Sequence, residues 1–498
     1  MKKLNIKNII LLSFLLITTI SCDDNLDRFP SNSIEQTQSF KTIADAENWD
    51  NGLFSTFRAR VYGVNTYVTD VQADQLNATL DYGNRNGFPH RWEGFLSTDQ
   101  TIASVWQGYY SSLRNVNVAL EGYPTIETTS PEEETYLNQM IGKAYLLRAF
   151  YYHRLVLRFA KAYNPSTASS DLGVPLVLNY DVNYRPSRST IEEVYNQILS
   201  DINEAKSRLS SVSGEAGATK FTSDAVLALE ARVKLYMQDW SGAKTAADLL
   251  INSGNYPLLT SQSELDDMWV NDYSQEIIMQ SFVSAPNELP GTNSIYLGFS
   301  AGTGMFTPDF VPSQWVLDKF DDADFRKNTF FDSKEILIQG STYSDIMLVN
   351  KYPGNPTLFT GATTNYAHAP KVFRIAEMYL ISAEAAAMSS GDALTPLNTL
   401  RVARNLPPLT GITGTTLLNE IKDERFRELA FEGFRLDDLK RWDEGFTRTD
   451  PQSLDFINIG PNYNTLSKDA GDYQFVWGIP SNDIISNENL ASQQNPGW

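Results

Sequence analysis

The chain has 498 residues, 42% hydrophobic and 12% aromatic, with 60 acidic against 40 basic side chains and a formal charge of -20. A body that acidic repels nucleic acid and anionic headgroups unless it hides a local basic patch, and no run of five or more lysines and arginines occurs, so neutral ligands fit best. A single cysteine excludes an intramolecular disulfide and a cysteine zinc site; His90, His153 and His368 lie far apart and no EF-hand loop is present, so no metal is expected, although carboxylate calcium sites stay open.

The chain begins with Lys2, Lys3 and Lys7, followed by an apolar stretch over 9–17 of the length of a signal-peptide core. That stretch is shorter than the about 20 apolar residues a bilayer-spanning helix needs. It ends in Thr19-Ile20-Ser21-Cys22, which resembles the lipobox of bacterial lipoproteins, with Thr19 standing where leucine is usual. In such proteins a small residue precedes a cysteine that is acylated and becomes the mature N-terminus. Residues 1–21 are therefore expected to be a signal peptide and 22–39 a lipidated polar tether, and cleavage leaves a body of charge about -23. Asp23-Asp24 resembles the acidic tag that displays Bacteroidetes lipoproteins on the outer leaflet. The expected address is the cell surface, with the chain held in the outer membrane through lipid on Cys22.

Residues 40–498 contain no low-complexity divider and read as one body. The stretch 60–100 mixes aromatic with amide and charged residues and has no helical period, so it is expected to be a long functional loop insertion. Over 132–162, Tyr136, Met140, Ala144, Leu147, Tyr151, Leu155 and Phe159 recur at the spacing of one helix face. Pro165 and Pro175 break that pattern, and 173–177 reads as a short extended crossing. Ser189 or Thr190 caps the next helix, which carries Ile191, Val194, Ile198, Ile202 and Leu209 on its buried face and Glu192 and Glu193 in its first turn. Thr222 or Ser223 caps another, through Ala228, Val233 and Tyr236, before the chain reverses at 239–242 into a helix over 243–251. A second insertion follows over 256–331, with a strand at 276–282 and a Pro- and Gly-punctuated loop at 285–312. Helices are expected over 372–388, 395–405 and 417–431, the last ended by Gly433, with Asp423 and Glu424 both pairing to Arg427. Ile479-Pro480 and the final Asn495-Pro496-Gly497-Trp498 read as a strand and turn that lock the C-terminus.

Helix, short turn, helix with alanine at the contacts resembles tetratricopeptide repeats, without a regular 34-residue spacing. The fold expected is mostly α: tetratricopeptide-like helix pairs forming a scaffold, with loop and short-strand insertions carrying the ligand surface. Four blocks, 373–387 (FRIAEMYLISAEAAA), 397–406 (LNTLRVARNL), 421–442 (IKDERFRELAFEGFRLDDLKRW) and 476–498 (VWGIPSNDIISNENLASQQNPGW), resemble in this order those of the SusD/RagB family. The stretches 26–57 and 106–120 (WQGYYSSLRNVNVAL) agree. The resemblance implies a surface lipoprotein without cofactor that captures a nutrient, most often a glycan. It also implies a partner, a SusC-like TonB-dependent outer-membrane transporter for which the protein is the lid. Capture of a peptide or other non-glycan nutrient is the alternative within the family, and a surface hydrolase is a third reading.

Block 421–442 is read as an ion-pair and packing unit rather than a site. Sugar recognition needs flat aromatic faces for the apolar side of a pyranose and planar polar groups for its hydroxyls, and both coincide in the two insertions. The candidates are Tyr82, Phe88 and Trp92 with polar partners Asp74, Asn77 and Arg85, joined by Tyr296 and Phe299. Trp92 is taken as a ring exposed at the site, whereas Trp106, Trp240, Trp269 and Trp442 are assigned to the core. No catalytic residue is assigned, because Gly-x-Ser-x-Gly and the phosphate loop are absent and no carboxylate pair is singled out.

Overall fold

A computed structural model describes residues 39–290 and 294–498; the expected signal segment, Cys22 and all of the expected tether but Ser39 lie outside the described residues. The scaffold starts with α1 (Ile43–Arg58), where Thr42 and Asp45 cap each other reciprocally, and α2 (Val64–Gln72). Next come α3 (Gln100–Gly122) and α4 (Pro131–Phe159), the latter capped by Ser130 with proline at its first position and three glutamates in its first turn. Then follow α5 (Ile191–Arg208), α6 (Ser223–Tyr236) and α7 (Trp240–Ser253). Thr190 with Glu193 forms the capping box of α5, and Thr222 caps α6. The C-terminal third supplies α8 (Ile375–Met388), α9 (Leu394–Ala403), α10 (Gly414–Leu429) and α11 (Arg435–Trp442).

Consecutive helices pack in pairs, α3 on α4, α4 on α5 and α6 on α7, and α8 returns from far along the chain to cover α7 and α10. Ala243, Ala246 and Ala247 on α7 and Ala383, Ala385 and Ala386 on α8 are buried, and their small side chains permit close approach. The helical-repeat scaffold expected from the periodicity is the fold observed. Among the described residues no helix is long and apolar enough to cross a membrane.

The insertions carry short strands. β1 (Leu76–Ala78) pairs antiparallel with β5 (Phe310–Pro312), setting Asn77 opposite Val311 and joining the first insertion to the second. Between them in sequence lie β2 (Ile277–Gln280), β3 (Phe299–Ser300) and β4 (Met305–Phe306). β3 and β4 continue into a sheet with β6 (Phe331–Ile338) and β7 (Ser341–Val349), in the order β3-β4-β6-β7. β2 pairs with β8 (Lys371–Arg374).

Several expectations are corrected. The stretch 60–100 is not a structureless loop, because it holds α2, β1 and a short helix, Gly87–Arg91. The helix expected from 372 starts at Ile375, because the preceding residues are β8. Helix α10 ends at Leu429, before Phe431 turns left-handed (φ 64°), so Gly433 does not end it. A Cβ on Gly433 would stand 2.6 Å from the Thr66 carbonyl oxygen, so glycine is needed there for α2 to approach. Arg427 pairs with Glu424 as expected, but Asp423 reaches Lys319 instead. The C-terminus is held without a strand: the Asn495 amide donates to the Phe159 and Trp477 carbonyls and the Trp498 indole to that of Val476.

Block 421–442 forms a buried ionic network. Glu428 accepts from Arg374 (2.7 Å), Arg404 (3.0 Å) and Arg326 (3.1 Å), and Arg374 continues to Glu432 (2.5 Å), which also takes the Lys351 ammonium (2.8 Å). Glu424 is shared by Arg326, Arg401 and Arg427. Burial alone would raise the Glu424 pKa, but these guanidinium groups outweigh it and hold the carboxyl at about 2. A carboxylate held below its unfolded value of 4.5 stabilises the fold fully above that value and loses its contribution as pH falls towards about 2. Glu424→Gln is therefore expected to cost a few kcal/mol near neutral pH. In urea titrations its gap to the parent chain should close between about pH 4.5 and about pH 2; a gap independent of pH contradicts this account.

Candidate ligand-binding site

The turn between α1 and α2 is clamped by Asn65, whose amide donates to the Ala59 carbonyl (3.1 Å), and Gly63 takes a left-handed φ of 63° at the start of α2. This turn holds Arg60 and Tyr62 on one wall of a cavity of about 80 Å³. α4 contributes Arg154, α6 contributes Arg232, and β8 with the segment before it contributes His368, Lys371 and Arg374. The link between α10 and α11 supplies Phe431, Glu432 and Phe434.

A row of rings also lines the cavity. Tyr62 lies 5.0 Å from His368, His368 stacks on Tyr352 at 5.0 Å and 26°, and Tyr352 lies nearly parallel to Tyr296 at 6.3 Å. Trp269 meets Tyr352 edge-on at 5.5 Å. Burial, helped by the Lys371 charge, pushes the His368 pKa down to about 4, so the imidazole is neutral at pH 7. Close enough for its charge to reach Tyr296 and Tyr352, buried Asp70 accepts the Gly433 N–H (2.8 Å), and burial pushes its carboxyl up to about 7 against that hydrogen bond. Tyr67 stands half-buried at the rim, where its hydroxyl meets the Asn86 side chain beside Arg85 and Asp309.

The first-insertion candidates divide at this rim. Arg85 is exposed, with its guanidinium 2.5 Å from Asp309, whose carboxyl burial pushes up to about 6. Phe88 is 41% exposed and lies under the Arg91 guanidinium (5.3 Å). Tyr82 is buried, but its hydroxyl bonds Tyr463 (3.1 Å), Asn84 (3.1 Å) and Arg91 (2.5 Å). Tyr67, whose hydroxyl meets Asn86 beside Arg85, links the cavity lining to this group.

Three candidates are structural instead. Asp74 is buried in a two-pronged pair with Arg435 (2.7 and 3.0 Å), which ties the start of β1 to α11. Asn77 is buried on β1 and donates to the Ser313 hydroxyl (2.7 Å). Trp92 is only 4% exposed: its indole N–H donates to the Gln72 carbonyl (2.7 Å) and its ring packs edge-on against Phe446 and Phe475. It offers no free face to a ligand, which corrects its reading as an exposed site ring. Tyr296 is buried in the cavity wall, whereas Phe299, half-buried on β3 against Phe306, does not line the cavity. Of the four tryptophans assigned to the core, Trp106 and Trp269 are buried, while Trp240 and Trp442 are half-buried.

Sequence reasoning missed Arg60, Arg154, Tyr352, His368 and Lys371 as site residues. Arg154 carried a signal: it falls three residues after Tyr151, a charge on the apolar face of α4. The others have none, because only the tertiary fold brings them together. Among the described residues no group of three or more His, Asp or Glu could hold a metal ion.

Two family models match the chain. One, described as starch-binding and associating with the outer membrane, covers residues 24–235, and the other, the SusD family, covers 340–498. The chain is 26% identical to a SusD-like protein of Formosa agariphila over 98% of each chain. It is 34% identical to the starch-binding protein SusD of Bacteroides thetaiotaomicron over 127 residues, 26% of this chain and 21% of that one. Its structure is similar to a SusD superfamily protein of Bacteroides thetaiotaomicron (TM-score 0.76, 24% identity, 91% of this chain and 100% of the other). It is also similar to a SusD-like carbohydrate binding protein of Bacteroides vulgatus (TM-score 0.73, 22% identity, 91% and 98%). The structural likenesses bear on the fold alone.

The burial of Trp92 and the exposure of Phe88 make opposite forecasts. Trp92→Ala should cost about 3–5 kcal/mol in chemical denaturation, as truncation of a core aromatic does. Phe88→Ala should stay within about 0.5 kcal/mol of the parent chain. Equal stability of the two variants contradicts this placement.

Proposed function

The chain belongs to the SusD family, and on that premise we propose that it is a cell-surface lipoprotein that captures a glycan at the cavity and its rim. It serves as the lid of a SusC-like TonB-dependent transporter, to which it passes the glycan. The observation that carries the reading is a cavity lined by five cationic side chains and by the half-buried ring of Tyr67, with the buried row of rings from Tyr62 to Tyr296 as part of its wall. Aromatic surface covers the apolar side of a sugar ring, and guanidinium N–H groups donate to its oxygens. A concave site with rings and a few convergent polar groups is the usual form of a small-ligand site. The description of the family model that matches residues 24–235 and the name of one relative, both starch-binding, support the same ligand class. The role is binding without catalysis or cofactor.

Anchoring rests on the Cys22 sequence, since several acyl chains on one cysteine hold a protein stably at a membrane. Cys22→Ala should release the protein from membranes of cells lacking the transporter, and unchanged retention there contradicts the lipid anchor.

Affinity electrophoresis against a polysaccharide panel tests capture. Retardation by at least one glycan without release of reducing ends is expected, and Tyr67→Ala should weaken it about three- to tenfold, the range for one aromatic contact. Release of reducing ends would mean a hydrolase instead.

A further inference from the structure

Five cations line the cavity of this acidic protein, and three of them are neutralised in place. Arg232 is gripped by both oxygens of Glu377 (2.7 and 2.6 Å), Arg374 by Glu428 and Glu432, and Lys371 by Asp272 (2.5 Å). Arg60 and Arg154 differ: among the described residues neither has a carboxylate within 4.0 Å. Arg60 donates through Nε to the Ser112 hydroxyl (3.1 Å), and Arg154 donates through Nη2 to the Asn65 carbonyl (3.0 Å) and meets the Tyr109 hydroxyl. Asp437, the acid whose charge reaches Arg154, is taken by Arg158. Each guanidinium has five N–H donors, so both keep donors for a further acceptor.

Both side chains are built into place. A Cβ on Gly108 of α3 would stand 2.8 Å from Arg60 Nη1, so the helix has a seat for that guanidinium. Arg154 projects from the apolar face of α4 between Tyr151 and Leu155, both buried. Taking a guanidinium partly out of water without a counter-charge is costly, and the other arginines of this wall avoid that cost with carboxylates. The Tyr296 hydroxyl, buried in the same cavity, has no hydrogen-bond partner among the described residues. About 80 Å³ holds several waters or one acidic group.

We propose that the cavity receives an anionic substituent, a carboxylate or a sulfate, of an acidic glycan, with Arg60 and Arg154 as its counter-charges. The sugar ring that bears it then lies at the rim against Tyr67. Low-dielectric walls focus the field of two uncompensated cations, so an acidic body can still draw an anion to this one point. The inference rests on glycan capture at this cavity and narrows it to a ligand class.

The test sets neutral against acidic polysaccharides: amylose, galactan and mannan against polygalacturonate and alginate, which carry carboxylates, and carrageenan and amylose sulfate, which carry sulfates. Binding by the parent chain is measured by affinity electrophoresis and calorimetry at low and high salt, then repeated with Arg60→Gln and Arg154→Gln. At least one acidic glycan should bind about tenfold or more tightly than every neutral one, weaken with salt, and lose about tenfold or more in each variant. Which acidic arm binds separates carboxylate from sulfate. Neutral glycans bound as tightly as acidic ones, or acidic binding indifferent to salt in the parent chain, overturn the anionic assignment and leave glycan capture standing; the salt arm decides this even if a variant does not fold. Binding to none of these glycans overturns glycan capture, and this inference with it.

Discussion

The carboxylate of Glu428 is the point on which the architecture depends. It lies on α10 and accepts from Arg326 of the second insertion, from Arg374 at the end of β8, and from Arg404 just after α9, so one buried anion joins segments distant in sequence. Arg374 continues to Glu432, and Glu432 to Lys351, whose ammonium lies over the rings of Phe330 (3.9 Å) and Trp269 (4.4 Å). A buried ion pair is not by itself a large net gain over a well-packed apolar pair, yet removing one partner leaves several charges uncompensated at once. The consequence for the site is direct, since Arg374, Glu432, Phe431 and Trp269 all line the cavity. The ionic network is thus the foundation on which the row of rings stands.

The scaffold was legible because its signals are local. Thr190 with Glu193, Thr222, and the spacing from Tyr136 to Phe159 each act within one or two turns, and the helices start where those residues place them. Errors gathered where tertiary contacts decide the outcome. Val372 to Arg374 continue an apolar helical pattern, yet they pair with β2, across the sheet from Ile277 and Met279. Gly433 carries the composition of a helix end, but its lack of a Cβ serves an approach to Thr66. Trp92 looked like a site ring because its neighbours are polar; what buries it is Phe446 and Phe475, contributed from the far end of the chain.

Charge shows the same limit. The sequence has no basic run, and by composition the protein prefers neutral ligands. Folding then sets Arg60, from the turn before α2, and Arg154, from the C-terminal part of α4, on the walls of one cavity. Net charge governs behaviour at long range, whereas a ligand inside a low-dielectric cleft responds to the few groups that face it. Arg85 adjoins the cavity through Tyr67 and Asn86, Phe88 is exposed beside Arg91, and Asp74 and Asn77 belong to the framework that holds β1 in place.

The central claim is that ligand and protein meet at the cavity between the α1–α2 turn, α4 and the segment that ends in β8. A crystal structure of the protein with an oligosaccharide that retards it in electrophoresis tests this most directly. The account predicts sugar density against Tyr67 with a substituent extending towards Arg60 and Arg154. Density confined to another face, with the cavity holding only solvent, would contradict it.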